Sequence, residues 1–458
     1  MSIMRQTKVC RTLVLLLSFY ASLSLAQQAP PLIPPDERYK ADILLVVAHP
    51  DDETAISSYL ARAIFDQHKR VAVIYGTRGD GGGNNVGNEQ AASLGAVREI
   101  EARRAMASFG VMNVWFIGAP DTPGQDVLRS LETWHHGNAL EQVVRLVRLT
   151  RPEVIITWLP CYVAGENHDD HQAAGVIATE AFGVSGDPTV FPSQVAAPRL
   201  RLRINNYGGG LQAWQAKKLY YFSDADHTDF LEGKGPRYDP SDVSPSRKVP
   251  YYRLSADEWS FHETQRGVGD VAKSAIEKND FTPMKEPERF ILGKSLVKSA
   301  TAGEVFEGIS AAAISYASRT SYRPEQRGDL SLQLGGPWAF YREFWRVQGL
   351  EHLGRLVAPE VGVAGAQPLN VPLLIANETN QPKAVRLKTE LPEGWTEHAR
   401  FAEFPVAAHE TYPIQLVLTA PTGHSNEWQK ITWKIEADGK VSGLVELRVH
   451  LKSGGLPQ

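Results

Sequence analysis

The chain has 458 residues, of which 22% are charged and 43% hydrophobic, and a formal charge of -4 at pH 7. That length exceeds what one core usually supports, so two domains are expected, and the near-average composition, with no low-complexity tract and no internal repeat, fits an ordinary globular protein. A mildly acidic balance without a basic block speaks against nucleic acid or an anionic membrane as partner.

The first 26 residues carry Arg5, Lys8 and Arg11, then an apolar segment from Leu13 to Leu25, with small residues at Ser24 and Ala26. This is the pattern of a secretory signal cleaved near Ala26. The segment is short for a spanning helix, so no stable membrane insertion is expected. A Pro-rich linker is assigned to residues 27–40. Losing the leader's three basic residues and no acid moves the formal charge from -4 to -7 and removes Cys10. Cys161 then stands alone in a secreted or periplasmic chain, which excludes an intramolecular disulfide.

From Ala41 the pattern alternates strand and helix. Ile43 to Val47 is an unbroken apolar run that ends in Ala48-His49-Pro50-Asp51-Asp52-Glu53, a buried parallel strand running into a polar loop. A helical stretch Thr54 to Phe65 and a strand Val71 to Tyr75 follow, then a glycine-rich loop, a helix Asn88 to Phe109 and a strand Val114 to Ile117. A helix Ala139 to Leu149 and a fourth strand Val154 to Trp158 complete the series. Such alternation predicts an α/β fold, a Rossmann-like parallel sheet with helices on both faces. After the fourth strand stands a second polar cluster, Glu166-Asn167-His168-Asp169-Asp170-His171, followed by an Ala-rich helix Gln172 to Phe182. Ligands in such sheets bind outside the carboxyl ends of the strands, so both clusters are expected at one edge.

His49 with Asp52, and His168 with His171, are three residues apart, so either pair presents two donors from one turn of backbone. Two imidazoles and a carboxylate leave coordination positions for water and substrate, as in catalytic zinc sites; the same set also suits iron(II). Such a metal lowers the pKa of its water towards about 7 and polarises a carbonyl. A carboxylate beside it takes the water's proton, and an imidazole opposite returns one to the leaving group. Spacing leaves open which histidine of the second pair is the ligand. Glu53 is expected to cap the following helix, and Cys161 to be a small buried residue.

The two clusters, in this order and on this strand pattern, resemble the PIG-L/LmbE family of zinc-dependent N-acetylglucosaminide deacetylases. Thr77-Arg-Gly-Asp-Gly81 is similar to that family's glycine-rich loop, Arg98-Glu-Ile-Glu101 to its helical Arg-x-x-Glu element, and His262-Glu-Thr-Gln265 to a late His-x-Ser/Thr-Gln element. The likeness is dense from Ala41 to Gly183 and thinner to about Gly308. It implies that His49, Asp52 and His171 hold one Zn2+, that Asp51 is the general base, and that His168 protonates the amine or helps hold the oxyanion. It also implies substrate contacts at Asp80, Arg98 and Asp121. Arg98 reads equally well as half of a helix-face ion pair with Glu101, Asp80 as turn chemistry, and His262 as a packing residue. Two positions depart from the family. Asp169 stands where several relatives have Pro, and Glu166 where some have a Tyr that polarises the scissile carbonyl. That task falls to the metal and His168 unless Tyr162 turns into the site.

Residues 184–350 are the less regular part of a hydrolase domain assigned to 41–350. Their aromatic clusters, Tyr220-Tyr-Phe222, Pro250-Tyr-Tyr252 and Phe340-Tyr-Arg-Glu-Phe-Trp345, are expected to be mostly core, in a region that shapes the pocket. After Leu356 the period changes to two, with strands around Val371–Ala376, Ala384–Thr389, Tyr412–Leu418, Gln429–Ile435 and Gly443–Leu451. Residues 360–453 thus read as a β-sandwich resembling the Ig-like domains appended to bacterial α-galactosidases, with a structural role expected ahead of glycan binding. The expected function is de-N-acetylation of an N-acetylglucosamine-type sugar or glycan. A non-catalytic glycan-binding protein is the alternative, opposed by intact His49, Asp51, Asp52, His168 and His171. Phosphoester hydrolysis would require more metal ligands than these clusters provide.

Overall fold

The computed structural model describes residues 35–163, 168–195, 210–225, 227, 229–316, 325–398, 403–423, 425 and 427–452. The expected leader, the linker before residue 35, and Glu166 lie outside the described residues. Among the described residues no helix is long and apolar enough to cross a membrane.

All five residues of β1 (Ile43–Val47) are buried, as an apolar run without polar alternation requires. Its parallel neighbours are β2 (Val71–Tyr75) and β4 (Val154–Trp158), with Ile43 opposite Val71 on one side and Val154 on the other. β3 (Val114–Phe116) continues the sheet beyond β2, and β5 (Lys218–Phe222) beyond β4, both in parallel. The sixth strand, Ile291–Ser295, runs antiparallel to β5 at the edge. The wholly parallel sheet expected from the alternation is therefore corrected to a mixed one. Gly293 permits this closure, because a Cβ there would lie 2.4 Å from Cε2 of Tyr221. Strand order reverses between β1 and β4, so the loops leaving these two strands diverge there and open a crevice. Both polar clusters follow those two strands.

The helix expected from Asn88 starts at Ala92, since Ala91 has a φ of 49° and breaks the helical path; it runs to Ser108. Residues 52–66 are helical throughout, passing from a 3-10 turn through Ser57–Ala61 to a π-turn. The helix expected from Ala139 begins at His136 and is preceded by Val127–Thr133, whose first turn Asp126 caps by accepting from the Leu128 amide. The second cluster opens the helix Asp169–Val184. Tyr220, Tyr221 and Phe222 are buried in β5, and Tyr341, Phe344 and Trp345 on the helix Gly336–Gln348, as core aromatics should be.

The C-terminal region is strand-rich. Pro368–Asn377 and Thr411–Thr419 lie at the centre of one sheet, and Lys383–Glu390, Trp428–Ala437 and Lys440–Lys452 in the other. Leu330–Leu334, upstream of the helix Gly336–Gln348, also pairs with Pro368–Asn377. The two sheets share one core, with Val371, Leu373, Ile375 and Leu416 facing Ile431, Trp433, Ile435 and Val449. Each such side chain contributes about 1.5–3 kcal/mol on burial, which makes this a core in its own right.

Candidate metal centre

The first cluster forms a tight turn. Asp51 adopts a φ of 107°, a left-handed conformation that costs a non-glycine residue about 1–3 kcal/mol. Three bonds hold it there. The Asp51 carbonyl accepts from the Thr54 amide at 2.9 Å and its hydroxyl at 2.5 Å, and the Asp51 amide donates to Glu53 Oε2 at 3.1 Å.

This turn drives Asp52 inward. Its Oδ2 accepts from the amides of Ala48 at 2.8 Å and His49 at 3.0 Å, and from Trp158 Nε1 at 2.7 Å. Its Oδ1 lies 3.6 Å from His49 Nδ1 and 3.2 Å from His171 Nε2. One oxygen is thus saturated by protein donors, and the other faces two imidazoles.

His171 arrives on the first turn of the helix Asp169–Val184. Trp158, the last residue of β4, stacks flat on its ring at 4.2 Å and 5°. The helix can lie this close because residue 175 is glycine: a Cβ there would fall 2.4 Å from the Trp158 carbonyl oxygen. His168 precedes the helix, its ring 4.3 Å from that of His49 and 5.4 Å from that of His171.

Among the described residues two donor sets overlap at His49, His49–Asp52–His171 and His49–His168–Asp170, each with ligand atoms within 4.8 Å of one another. Asp170 distinguishes them. Its Oδ1 accepts from Ser130 Oγ at 2.6 Å and its Oδ2 from the Thr122 amide at 2.8 Å, and Oδ2 faces His49 Nε2 at 3.4 Å. A carboxylate committed in this way orients the far nitrogen of a ligating imidazole and leaves Nδ1 to face Asp52. The donor set with both imidazoles and the free Asp52 oxygen fits zinc by ligand type.

Electrostatics separate the adjacent aspartates. Burial, reinforced by the charge of Asp52, pushes the Asp51 carboxyl up to about 7. Burial acts on Asp52 too, but His171 and His49 outweigh it and hold Asp52 well below the carboxylate range. Burial disfavours charge on His49 and His171, yet facing carboxylates raise both: Asp170 and Asp52 for His49, Asp52 for His171. Burial and then the charges of His49 and His171 press His168 down to about 3. Neighbouring carboxyls with divergent proton affinities suit one to take a proton and the other to remain an anion.

The remaining sequence candidates surround this centre. Asp121 Oδ2 accepts from the Gly81 amide at 2.8 Å, while Oδ1, buried and without a hydrogen-bond partner, lies 3.9 Å from His49 Nε2. Asp80 is half-buried over Gly95, where an added Cβ would come within 3.0 Å of its own. Arg98 is buried, and its guanidinium donates to the carbonyls of Gly79 at 2.7 Å and Gly83 at 2.8 Å and to Thr264 Oγ1 at 3.3 Å. Glu101 accepts both the amide and hydroxyl of Thr264, at 2.9 and 2.7 Å, so both ends of the Arg-x-x-Glu element serve the His262–Gln265 segment. From that segment Gln265 donates to the Pro50 carbonyl at 2.5 Å, and His262, fully buried, lies 2.8 Å from Glu53 Oε1. Glu53, expected as a helix cap, closes the Asp51 turn and anchors His262 at once. Tyr162 turns onto Trp338, with rings 4.6 Å apart, and Cys161 is half-buried against the first core.

Sequence reasoning missed three residues of this centre: Asp170, Trp158, and Asp224, whose Oδ2 lies 3.8 Å from His171 Nδ1. Trp158 and Asp224 sit at the carboxyl ends of β4 and β5, where the strand-end rule itself points.

Residues 44–182 match the family model described as "PIG-L: GlcNAc-PI de-N-acetylase". The chain carries a PIG-L family domain. A 1D-myo-inositol 2-acetamido-2-deoxy-alpha-D-glucopyranoside deacetylase 1 of Frankia casuarinae is 30% identical to it over 194 residues, 39% of this chain and 57% of that protein. The corresponding deacetylase of Geodermatophilus obscurus is 29% identical over 194 residues, 39% of this chain and 60% of that protein. The chain therefore spans less than two thirds of the length of these curated relatives. Among solved structures, N,N'-diacetylchitobiose deacetylase from Pyrococcus horikoshii aligns at 15% identity with a TM-score of 0.38, covering 55% of this chain and 83% of that one. A likeness of that size says nothing about activity. The PIG-L domain contains both polar clusters, and the candidate centre is built almost wholly inside it.

Proposed function

We propose that the protein is an exported, zinc-dependent hydrolase that removes the acetyl group from an N-acetylglucosamine-type amino sugar or its conjugate. One observation carries this: Asp52 Oδ1, His49 Nδ1 and His171 Nε2 converge beside Asp51, whose carboxyl takes a proton near neutral pH. The PIG-L domain and the likeness to the deacetylases of Frankia casuarinae and Geodermatophilus obscurus support de-N-acetylation, and the leader pattern of residues 1–26 supports export.

His49, Asp52 and His171 would hold the zinc ion, which when bound polarises the amide carbonyl and acidifies the attacking water. Asp51 accepts the water's proton at its carboxylate. His168 returns a proton to the departing amine. Its Nδ1 lies 3.7 Å from Asp169 Oδ1 and 4.0 Å from Asp170 Oδ2, and the charges of Asp170 and Asp52 favour the protonated ring. Burial first, and then the charges of His49 and His171, keep the resting His168 ring neutral, so the proton it delivers is the one Asp51 has taken from the water and passes on. Asp80 and Asp121 contact substrate hydroxyls, and Arg98 fixes the glycine loop beside them.

The test is to incubate the protein with a panel of N-acetylated amino sugars, with and without chelator, and to measure acetate and free amine. The expected result is release of both in equal amounts, abolished by chelation and lowered roughly 10²–10⁴-fold by Asp51→Asn. Release that ignores chelation and survives Asp51→Asn contradicts the mechanism.

A further inference from the structure

β5 ends at Phe222, and the loop after it carries Asp224, which faces the Nδ1 side of His171 at 3.8 Å. The Asp224 side chain is 44% exposed and sits on no strand or helix, so its position depends on what holds the loop. Three residues further on, His227 Nε2 lies 2.7 Å from Glu360 Oε1. Glu360 is the first residue of the strand Glu360–Ala364 in the C-terminal sandwich, and it is fully buried. Its other oxygen lies 3.4 Å from Arg448 Nη1, and the Arg448 guanidinium sits 4.5 Å over the Trp428 ring. Trp428 in turn meets the His227 ring at 5.5 Å and 90°. Four side chains therefore close a circuit that grips the loop.

A buried carboxylate is costly unless it is paired, and a sandwich core gains nothing from placing one at its edge. Of these two partners, Arg448 lies on the neighbouring sandwich strand at 3.4 Å, and the closer one, His227 at 2.7 Å, belongs to the hydrolase loop. One more contact runs the same way: Trp338, buried in the sandwich core, packs on Tyr162 in the loop after β4.

We propose that Glu360 is a positioning residue of the metal centre: through His227 it fixes the loop that sets Asp224 behind His171. The sandwich is thereby a working wall of the hydrolase rather than an appendage. This rests on the reading of His171 as a metal ligand, for which Asp224 is the carboxylate that aligns the ring.

Two readouts test it on the full chain: zinc affinity by competition with a chromophoric chelator, and hydrogen–deuterium exchange of the loop peptide covering residues 219–231. Glu360→Ala is expected to speed exchange in that loop at least about tenfold and to weaken zinc roughly 10–100-fold. Glu360→Gln, which keeps an acceptor for His227, is expected to stay within about threefold of wild type. Val449→Ala, in the sandwich core, is expected to lower the unfolding midpoint and leave both readouts unchanged. If Glu360→Ala does not fold, His227→Ala replaces it, since it opens the same circuit from the loop side. Unchanged loop exchange or unchanged zinc affinity in a folded Glu360→Ala or His227→Ala protein overturns the proposal, as does an equal loss of affinity in Val449→Ala. A wild type that binds zinc and tethers the loop but releases no acetate would sink the proposed function and leave the tether standing.

Discussion

Asp51 and Asp52 are adjacent in the chain and opposite in environment, and the difference comes from one turn of backbone. The left-handed Asp51 aims its neighbour at three N–H donors and two imidazoles, which keep that neighbour ionised, while Asp51 itself is left to burial. Trp158 is the donor that can be removed with least disturbance. Trp158→Phe keeps a ring against His171 but deprives Asp52 Oδ2 of its 2.7 Å bond. The expected outcome is about 1–3 kcal/mol of lost stability and roughly tenfold weaker zinc binding, measured by urea unfolding and chelator competition. That His49, Asp52, His168 and His171 come together was legible in the sequence because both clusters follow strands of one sheet, whereas the choice of His171 over His168 as ligand came from the family resemblance and not from spacing. The partners of Arg98 were not, because Thr264 is 166 positions away and nothing local announces it. An Arg and a Glu three apart on a helix look like a surface pair, yet both turn inward to the same distant segment.

At the scale of elements, the crevice exists because the strand order reverses between β1 and β4, and the depth of the second cluster depends on the closeness of one helix. Gly175→Ala would put a methyl 2.4 Å from the Trp158 carbonyl, a backbone atom that cannot step aside. The helix must move, carrying His171 away from Asp52. We expect a stability loss of about 1–3 kcal/mol, with a larger fractional loss of acetate release than Ala substitution at exposed Gly137 produces. β1, β2 and β4 were readable from apolar runs, since buried parallel strands need no polar alternation. The antiparallel sixth strand was not, because its Gly293 and Lys294 break both periodicities and its place depends on the ring of Tyr221. Leu330–Leu334 was missed for another reason: the helix Gly336–Gln348 separates it in sequence from the sheet it joins.

For the whole molecule, two cores meet at the carboxyl edge of the first sheet, and stability should report what that edge binds. Zinc bound only by the folded chain would stabilise it by about 2.7 kcal/mol at a hundredfold excess over Kd, so chelation should lower the thermal midpoint and zinc restore it. His49→Ala should abolish that response. A separate pH dependence comes from Glu288, whose carboxyl accepts the amides of Ser58 at 2.9 Å and Tyr59 at 2.7 Å yet is pushed by burial up to about 8. The folded chain then holds a proton that the unfolded chain releases above about 4.5, so this contribution is complete at low pH and is lost as pH rises towards 8. The unfolding free energy of wild type should fall by roughly 4 kcal/mol more than that of Glu288→Gln between pH 5 and pH 8.5. The sandwich was legible as alternating strands, but its grip on the loop after β5 was not. His227 and Glu360 are 133 positions apart, and each alone looks like an ordinary polar residue.

The division of labour within the second cluster is the centre of this account, and zinc content decides it. Zinc is to be quantified by elemental analysis on purified wild type, His171→Ala and His168→Ala proteins, each shown to be folded by circular dichroism. One zinc per chain in wild type, retained in His168→Ala and lost in His171→Ala, is the predicted result. Full zinc in His171→Ala with loss in His168→Ala would contradict it, because the metal would then lie with His49, His168 and Asp170.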